Sequence, residues 1–278
     1  MAHDEVIPEA IDECSFVKGA KGKLRWFERA WAGFSMEDIA AAAQKRLEDV
    51  VLPFVRDAVR LTGEPRIALA GGVFANVSLN RLIRELPEVG GIWIHPAMTD
   101  GGLAAGAALA LTFNDERHRA NSTHQPLEHA FLGPSFDEGQ IAQALDQAGI
   151  AYERRERIEE DIASALEKGL VVGHFDGALE YGPRALGNRT VLVTPTDPSI
   201  NDTLNQRLKR TEFMPFAPAI QEEHAGEMLE GWQTDHAAAR FMTTTYKVTE
   251  RLGIRRTNSS RSVHEGTRVY RQPASLAG

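Results

Sequence analysis

Two short apolar runs, each followed by a helical stretch, constrain the fold of this chain more than any other feature. Arg66–Ala70 contains Ile-Ala-Leu-Ala and Gly91–His95 contains Ile-Trp-Ile, and both runs have the length of a buried strand. The pattern predicts a helix after each run, over residues 76–86 and over an Ala-rich stretch that ends near Phe113. This strand–helix–strand–helix order is typical of an α/β layer, so we predict an α/β fold.

The rest of the chain predicts further elements on both sides of this pair. An apolar stripe predicts a helix over 39–61, with Pro53 as a kink or break inside it. Residues 114–126 are polar and predict a linker, with a domain boundary near Gln125. Beyond it the patterns predict helices over 137–148, 158–168 and 202–209, and strands over 170–175, 190–194 and 241–248.

Charge and composition exclude several classes of protein. The chain has 278 residues and a formal net charge of −8, which argues against broad nucleic-acid binding because phosphate neutralisation requires a basic face. No apolar stretch reaches the roughly 20 residues of a membrane helix, and residues 1–12 lack an apolar signal core. The single cysteine, Cys14, cannot form an internal disulfide, so we expect a cytoplasmic protein with no membrane partner.

Glycines follow the first predicted strand, and an aspartate follows the second. Gly71 and Gly72 carry no Cβ, so the backbone can approach a ligand closely, and the N-terminus of the next helix suits a phosphate. The amide of Asn76 can donate and accept toward a ribose or a phosphate. Asp100 precedes a glycine-opened helix, where a carboxylate either reaches a metal or caps the helix. The glycines also fit an ordinary strand-to-helix turn.

A loop with two arginines is the most basic candidate. Residues 180–189 read Glu-Tyr-Gly-Pro-Arg-Ala-Leu-Gly-Asn-Arg, which places Arg184 and Arg189 in a segment stiffened by proline. Guanidinium groups bind phosphate or carboxylate with two parallel hydrogen bonds, so the loop predicts an anion site. The alternative is that the arginines form salt bridges with Glu180 and Asp176.

A second basic stretch follows this loop. Arg207, Lys209 and Arg210 lead into a proline-bracketed aromatic segment, which indicates a nucleotide clamp by charge and shape. The alternative for that segment is that Phe213 and Phe216 are core residues. The histidines form no H-x-x-x-H or H-E-x-x-H pair and there is no G-x-S-x-G motif, so a self-contained zinc site and covalent acyl-enzyme chemistry are both disfavoured.

Several of these motifs occur together in one known family. From roughly Met36 to Glu250 the chain resembles the O-carbamoyltransferases of nodulation-factor and antibiotic biosynthesis, with the motifs in the family's order and spacing. The G-P-R-A-L-G-N-R string of residues 182–189 is highly specific. The other segments that carry the resemblance are A-L-A-G-G-V-F-A-N at 68–76, His-Pro at 95–96, T-D-G-G at 99–102, Ala-Ala at 107–108 and R-T-E-F-M-P-F-A-P at 210–218.

The resemblance implies two domains and a two-step reaction. Residues 1–125 are expected to form the C-terminal half of an actin-like ATPase domain of the acetate/sugar kinase, heat-shock and actin fold. Residues 126–250 are expected to form an incomplete α/β domain like the threonylcarbamoyl-AMP synthases. Residues 251–278 diverge from the family, and because residues 255–262 have no apolar periodicity we predict a disordered tail. The family uses carbamoyl phosphate and ATP to make carbamoyl-adenylate. It then passes the carbamoyl group to a hydroxyl of a sugar or antibiotic, with a bound metal, usually iron.

Carried over motif by motif, the resemblance also implies a role for each candidate residue. Nucleotide contacts are expected at Gly71, Gly72 and Asn76, and a metal ligand at Asp100. The phosphates of Mg²⁺-ATP and carbamoyl phosphate are expected to be held by the catalytic cations Arg184, Arg189 and Lys209 and by Asn188 and Arg210. Several fixed cations suit this role because two polyanions repel each other.

The sequence departs from the family pattern at both ends. The family's first half, with a histidine pair that completes the metal site, is not found before Met1, so a separate chain that supplies this half is an expected partner. The family's final segment is not found after Gly278. Three hypotheses follow: a carbamoyl-transferring enzyme or a fragment of one, a non-catalytic remnant that binds nucleotide or a partner chain, and a sugar kinase, which leaves the second domain unexplained.

Overall fold

The computed structural model describes residues 29–114, 127–195, 199–209, 216–233 and 237–249. Helices alternate with short strands in this part of the chain, so the predicted α/β class is confirmed. The chain divides into two compact units. Of the described residues, 29–65 and 85–90 belong to the first unit, and 66–84 and everything from 91 onward belong to the second.

The first unit contains one long helix, α1, over Met36–Thr62. The side chain of Ser35 caps its N-terminus by accepting a backbone N–H of the first turn. Gly63 ends the helix with a φ of 68° and donates its N–H to the carbonyl of Val59. Pro53 lies inside the helix, and the predicted helix over 39–61 is confirmed.

The second unit begins with a parallel pair of strands. Strand β1 (Arg66–Leu69) pairs with β2 (Gly91–Ile94) along the full length of both. A 3-10 helix over Gly72–Ala75 follows β1 and precedes helix α2, Val77–Arg84. A second 3-10 helix, Asp100–Gly102, leads from β2 into helix α3, Leu103–Asn114. Because the strands are parallel, the turns that follow them lie at the same edge of the pair, which is where ligands bind in open α/β sheets.

The later part of the second unit contains an antiparallel pair. Strand β3 (Val172–Phe175) pairs with β4 (Arg189–Leu192), so the arginine-bearing loop connects two adjacent strands. Helix α4 begins after Asp137, whose carboxylate caps the helix by accepting the N–H of Gln140. The helices of this region are α4 (Glu138–Gln147), α5 (Ile158–Glu167), α6 (Ile200–Arg207), α7 (Glu222–Met228) and α8 (Ala237–Arg240).

A small core connects the arginine-bearing loop to strand β2. Leu186, in the middle of the loop, is buried with Ala130 and Phe241. Trp93 of β2 packs on this cluster, with its ring centroid 5.6 Å from that of Phe241 in an edge-to-face arrangement. The buried leucine therefore fixes the centre of the loop.

The predicted strand over 241–248 is wrong. This segment follows α8 as a turn and an extended stretch, with an isolated bridge between Leu229 and Val248. The buried amide of Asn80 donates to the carbonyl of Thr243 at 2.7 Å, and the hydroxyl of Thr243 donates to the carbonyl of Ala238 at 2.7 Å. The segment therefore forms hydrogen bonds with α2 and with the preceding helix α8, and not with a neighbouring strand.

The finer architecture stays a prediction. The described residues contain two two-stranded sheets, which do not distinguish an actin-like or a synthase-like domain from other α/β arrangements. The predicted linker over 115–126 and the tail from 251 to 278 lie outside the described residues. Within the described ranges, no helix is both long enough and apolar enough to cross a bilayer.

Candidate anion-binding site

Three loops of the second unit meet in one place: the glycine turn after β1, the turn after β2 and the loop between β3 and β4. The N–H of Gly71 donates to the carbonyl of Met98 at 2.7 Å. The Nη2 of Arg184 donates to the carbonyl of Ala75 at 3.0 Å, across 109 residues of chain. Three of the four motifs singled out in the sequence are thus brought together.

Gly182 permits the arginine-bearing loop to approach the turn after β2, and Gly102 permits a close contact within that turn. A Cβ at Gly182, where φ is +110°, would lie 2.8 Å from the carbonyl oxygen of Pro96. A Cβ at Gly102 would lie 2.2 Å from the carbonyl oxygen of Ala97, which is closer than any side chain allows. By contrast, a Cβ at Gly71 or Gly72 would meet nothing within 4 Å, so the glycine turn faces open space.

Glu180 holds the arginine-bearing loop from inside. One carboxylate oxygen, Oε1, accepts the backbone N–H groups of Leu186, Asn188 and Arg189 at 2.9, 2.9 and 3.0 Å. Burial by itself raises the pKa of this carboxyl, but the backbone hydrogen bonds outweigh burial and hold the pKa of Glu180 below its usual range. The carboxylate is therefore ionised at neutral pH and accepts hydrogen bonds from the backbone of the loop. The alternative that it forms a salt bridge with an arginine side chain is wrong.

Arg184 carries a positive charge that no described residue neutralises. The ion pairs among the described residues do not include it. Its Nε is buried without a hydrogen-bond partner, and burial lowers the pKa of the guanidinium. A partly desolvated cation without a counter-charge is unfavourable, so this arrangement favours the binding of an anion.

Arg189 and Asn188 have most of their contacts within their own loop. The guanidinium of Arg189 donates to the carbonyls of Asp176 and Gly177 at 2.5 and 3.1 Å and lies 3.6 Å from the ring centroid of Phe175. The side-chain amide of Asn188 donates to the carbonyl of Ala178 at 2.7 Å. The alternative that Arg189 forms a salt bridge with Asp176 is wrong, because the guanidinium donates to the backbone carbonyl of Asp176 and not to its carboxylate. The phosphate-binding roles of Arg189 and Asn188 stay predictions.

Asn76 lies at the junction of the glycine turn and α2. Its Oδ1 accepts the N–H of Leu79 at 3.0 Å and thereby caps the helix. A 3-10 helix over Gly72–Ala75 fills the stretch between the glycines and α2, and α2 begins at Val77, one residue after the predicted start. A nucleotide contact by the amide nitrogen of Asn76 stays a prediction.

The fourth motif is only partly described. Lys209 is exposed, just beyond α6, with a φ of 51°. Arg210 and Phe213 lie outside the described residues. Phe216 is partly buried, and its backbone N–H donates to the side chain of Asn201 at 3.1 Å. The described contacts do not bring Lys209 to the three loops.

The described residues do not form a metal site by themselves. No group of three or more His, Cys, Asp or Glu side chains in this part of the chain is arranged to hold a metal ion. Asp100 is exposed, and Thr99 takes the cap position of the 3-10 helix, so the capping alternative for Asp100 is wrong. Metal ligation by Asp100 stays a prediction.

His95 and Tyr181 also belong to the site, although neither residue was predicted to have a role in it. Their rings meet edge to face at 5.5 Å, and the hydroxyl of Tyr181 is buried without a hydrogen-bond partner in the described chain. The Nδ1 of His95 accepts the N–H of Ala97 at 3.2 Å, so a neutral ring carries its proton on Nε2. A signal was present, because His95 follows β2 at the ligand-binding edge and Tyr181 precedes Gly182 in the motif.

Two family models match the chain. The model described as the carbamoyltransferase N-terminus matches residues 17–109, and the model described as the carbamoyltransferase C-terminus matches residues 163–270. The chain belongs to the carbamoyltransferase family. The resemblance identified from the motifs is confirmed.

Relatives of this carbamoyltransferase-family chain include both nodulation proteins and uncharacterized proteins. An uncharacterized protein of Methanocaldococcus jannaschii, MJ1058, is 35% identical over 212 residues, covering 74% of this chain and 34% of the relative. Nodulation protein NolNO of Sinorhizobium fredii is 34% identical over 70% of this chain and 29% of its own length. Nodulation protein NolO of Bradyrhizobium diazoefficiens is 33% identical over 69% of this chain and 35% of its own length. The chain thus spans about a third of the length of these relatives.

Both matched regions of this carbamoyltransferase-family chain contribute to the candidate site. The glycine turn and the turn after β2 lie within the N-terminal match. Glu180, Arg184 and the rest of their loop lie within the C-terminal match. The hydrogen bond from Arg184 to Ala75 therefore joins the two matched regions.

Proposed function

We propose that this chain contributes to O-carbamoyl transfer. In the proposed reaction, carbamoyl phosphate, ATP and water give carbamoyl-adenylate, phosphate and pyrophosphate. The carbamoyl group then passes to a hydroxyl of a sugar-like or antibiotic-like acceptor, and AMP leaves. Family membership supports the transfer of a carbamoyl group, and the partly buried guanidinium of Arg184, which no described carboxylate neutralises, supports the use of phosphorylated substrates.

In this proposal Arg184 binds and orients phosphoryl oxygens. Arginine remains a cation at neutral pH, so it stabilises negative charge and does not exchange protons with the substrate. Glu180 positions the loop through the three backbone N–H groups that it accepts. Gly71 and Gly72 leave room for the backbone of their turn to approach the nucleotide.

The remaining cations extend the same role. Arg189, Asn188, Lys209 and Arg210 are proposed to complete the binding of ATP, with its Mg²⁺, and of carbamoyl phosphate. Phosphoryl and adenylyl transfer depend mainly on positioning and electrostatic stabilisation, so a set of fixed cations is the chemistry that the reaction needs. A mixed anhydride activates the carbamoyl group without an enzyme nucleophile.

The test measures pyrophosphate release from ATP, carbamoyl phosphate and Mg²⁺. We expect release that depends on carbamoyl phosphate and that Arg184→Gln lowers by roughly 100-fold, because a fixed charge at the transferring group is lost. Arg154→Gln is the matched control, since Arg154 is exposed on the surface of the same unit and pairs with Glu138 at 3.4 Å. Arg184→Lys, which keeps the charge and loses the planar fork, should give an intermediate rate.

Two results would overturn the proposal. One is pyrophosphate release that proceeds equally without carbamoyl phosphate, and the other is an Arg184→Gln rate equal to that of the wild type. Because the chain spans about a third of its relatives, the assay is also run with the remaining part of NolO added as a separate polypeptide. No release in either format defeats catalysis.

A non-catalytic, nucleotide-binding role is the second candidate. It is favoured by the absence of a metal-binding group from the described residues and by the engagement of Arg189 with backbone carbonyls. Calorimetric titration with ATP separates the two candidates. Binding of ATP without turnover, weakened by Arg184→Gln, would support the second.

A further inference from the structure

Two aromatic rings are exposed beside the arginine-bearing loop. Phe136 and Phe175 are 50% and 54% exposed, and their ring centroids lie 6.1 Å apart with the planes tilted by 31°. The guanidinium of Arg189 lies over the Phe175 ring, 3.6 Å from its centroid, and still leaves more than half of the residue exposed. Apolar surface is unfavourable in water, so two adjacent exposed rings indicate a binding surface.

The backbone holds both rings in place. Phe175 is the last residue of β3, which pairs with β4 along its full length. The segment before Phe136 is attached to the arginine-bearing loop, because the N–H of Gly133 donates to the carbonyl of Leu179 at 2.9 Å and the N–H of Leu179 donates to the carbonyl of Pro134 at 3.0 Å. The capped N-terminus of α4 follows Phe136 directly. Rings on a backbone that is already ordered lose little freedom on binding, which favours recognition of a ligand.

The face of the β3–β4 pair next to Phe175 is open. Residues directly opposite each other in an antiparallel pair lie on the same face, and so do residues two apart in one strand. Phe175 therefore shares a face with Gly173 and with Val191, which is opposite Gly173. Val191 is partly exposed, and a Cβ at Gly173 would meet no described residue within 4 Å. A flat ligand can thus approach Phe175 along this face.

The ligand that suits this surface combines a flat ring with negative charge. Phe136 and Phe175 provide the aromatic surface, and Arg184, on the loop that follows Phe175, provides a cation that no described carboxylate neutralises. Among the substrates of the proposed reaction, carbamoyl phosphate has the charge but no ring, and a sugar-like acceptor has no flat aromatic ring and no phosphate. ATP has both, because its base stacks on aromatic side chains and its triphosphate is anionic.

We propose that Phe136 and Phe175 form the stacking platform for the adenine ring of ATP, with Arg189 holding the Phe175 ring in position. This inference rests on the proposed function, in which the arginine-bearing loop binds the phosphates of ATP. One carboxylate oxygen of Glu180 accepts the backbone N–H groups of both Leu186 and Arg189. The anion-binding loop and the platform are therefore held together by the same side chain.

The test compares ATP with inorganic tripolyphosphate, which carries the charge without the base, in calorimetric titrations of the full chain. We expect the wild type to bind ATP more tightly than tripolyphosphate. Phe136→Ala should weaken ATP binding by roughly 5- to 100-fold, because the stacking on one ring is lost, and should leave tripolyphosphate binding unchanged. Phe136→Trp keeps a flat ring and should retain ATP binding, whereas Phe136→Leu keeps only apolar bulk and should lose it as the alanine variant does. Tyr152→Ala is the matched control, because Tyr152 is an exposed aromatic residue of the same unit, and it should change neither affinity.

Fluorescence provides a readout at the second ring. Phe175→Trp keeps an aromatic ring beneath Arg189 and places a fluorophore on the platform. The chain has four natural tryptophans, so quenching is measured as the excess over that of the wild type. We expect ATP to quench the added fluorophore and tripolyphosphate to leave its emission unchanged. Equal effects of the two ligands would contradict stacking on Phe175.

Several results would overturn the inference. Equal affinities of the wild type for ATP and tripolyphosphate would mean that the base is not bound. An equal loss of both ligands in Phe136→Ala would make the ring structural, and unchanged ATP binding in that variant would make it irrelevant to the nucleotide. Unchanged ATP binding with weakened binding of methyl glucoside would assign the ring to the acceptor.

Failure of the proposed function gives a different pattern. ATP binding that depends on Phe136, without any release of pyrophosphate, would remove the carbamoyl reaction and leave the platform in place. Pyrophosphate release at limiting ATP that Arg184→Gln lowers and Phe136→Ala leaves unchanged would support the reaction and remove the platform. Binding of neither ATP nor tripolyphosphate would overturn both.

Discussion

Replacing Glu180 with glutamine should lower stability in a pH-dependent way. The substitution keeps one acceptor oxygen and the side-chain shape but removes the charge from the group that accepts three backbone N–H bonds. Hydrogen bonds to charged groups contribute about 1.5–3 kcal/mol each and neutral ones about 0.5–1.5 kcal/mol. Since the three donors share one oxygen and their effects are not additive, we expect Glu180→Gln to cost about 2 kcal/mol at pH 7.

The sign of the pH dependence follows from the lowered pKa of Glu180. Its carboxyl has a lower pKa in the folded chain than in the unfolded chain, so the stabilisation is fully present above the unfolded value, about 4.3, and is lost as pH falls through the folded value. At pH 3.5, which is below the unfolded pKa, the difference between the two proteins should be smaller than at pH 7. The other carboxyl groups are present in both proteins and cancel in the comparison.

Urea unfolding of both proteins at pH 7 and pH 3.5 measures this difference. Glu153→Gln is the control, because Glu153 is 74% exposed and pairs with Arg155 on the surface, where an ion pair contributes about 0–1 kcal/mol. A difference between wild type and Glu180→Gln that is the same at both pH values would refute the reasoning. It would mean that shape, and not charge, makes Glu180 important.

Two further predictions concern packing. Gly102→Ala should lower the free energy of unfolding by more than about 2 kcal/mol, because the new Cβ would collide with the carbonyl oxygen of Ala97. Gly106→Ala should raise it by about 1 kcal/mol, because Gly106 lies inside a helix and its new Cβ would meet nothing within 4 Å. Equal melting temperatures for the two variants would contradict this prediction. Asn80→Leu should lower the free energy of unfolding by about 2–4 kcal/mol, because the buried amide donates to the carbonyls of Phe74 and Thr243. A loss of less than about 0.5 kcal/mol in urea unfolding would show that these hydrogen bonds are dispensable.

The elements with local signals could be predicted from the sequence. Helix α1 carries its own cap at Ser35 and its own ending at Gly63, and α4 carries Asp137 with Gln140 three residues later. The segment 241–248 could not be predicted in this way. Its threonines and aromatics favour a strand locally, but the carbonyl of Thr243 accepts a hydrogen bond from Asn80, which is 163 residues earlier in the chain.

The candidate site was predictable as a set of motifs but not as a set of contacts. The sequence singles out Arg184 and Arg189 equally, whereas the structure separates them. Arg189 lies opposite Phe175 in the β3–β4 pair, where nearby carbonyls accept its N–H groups. Glu180 had a usable signal: a loop rich in glycine leaves backbone N–H groups that need an acceptor, and Glu180 is the carboxylate within it.

The hydrogen bond between Arg184 and Ala75 also limits how members of this family can be recombined. In a hybrid of two relatives joined between residues 109 and 163, the guanidinium would come from one parent and the oxygen that orients it from the other. Because this oxygen belongs to the backbone, its position depends on the conformation of segment 71–76, so segments 71–76 and 180–189 should be inherited together, however far apart they lie in the gene.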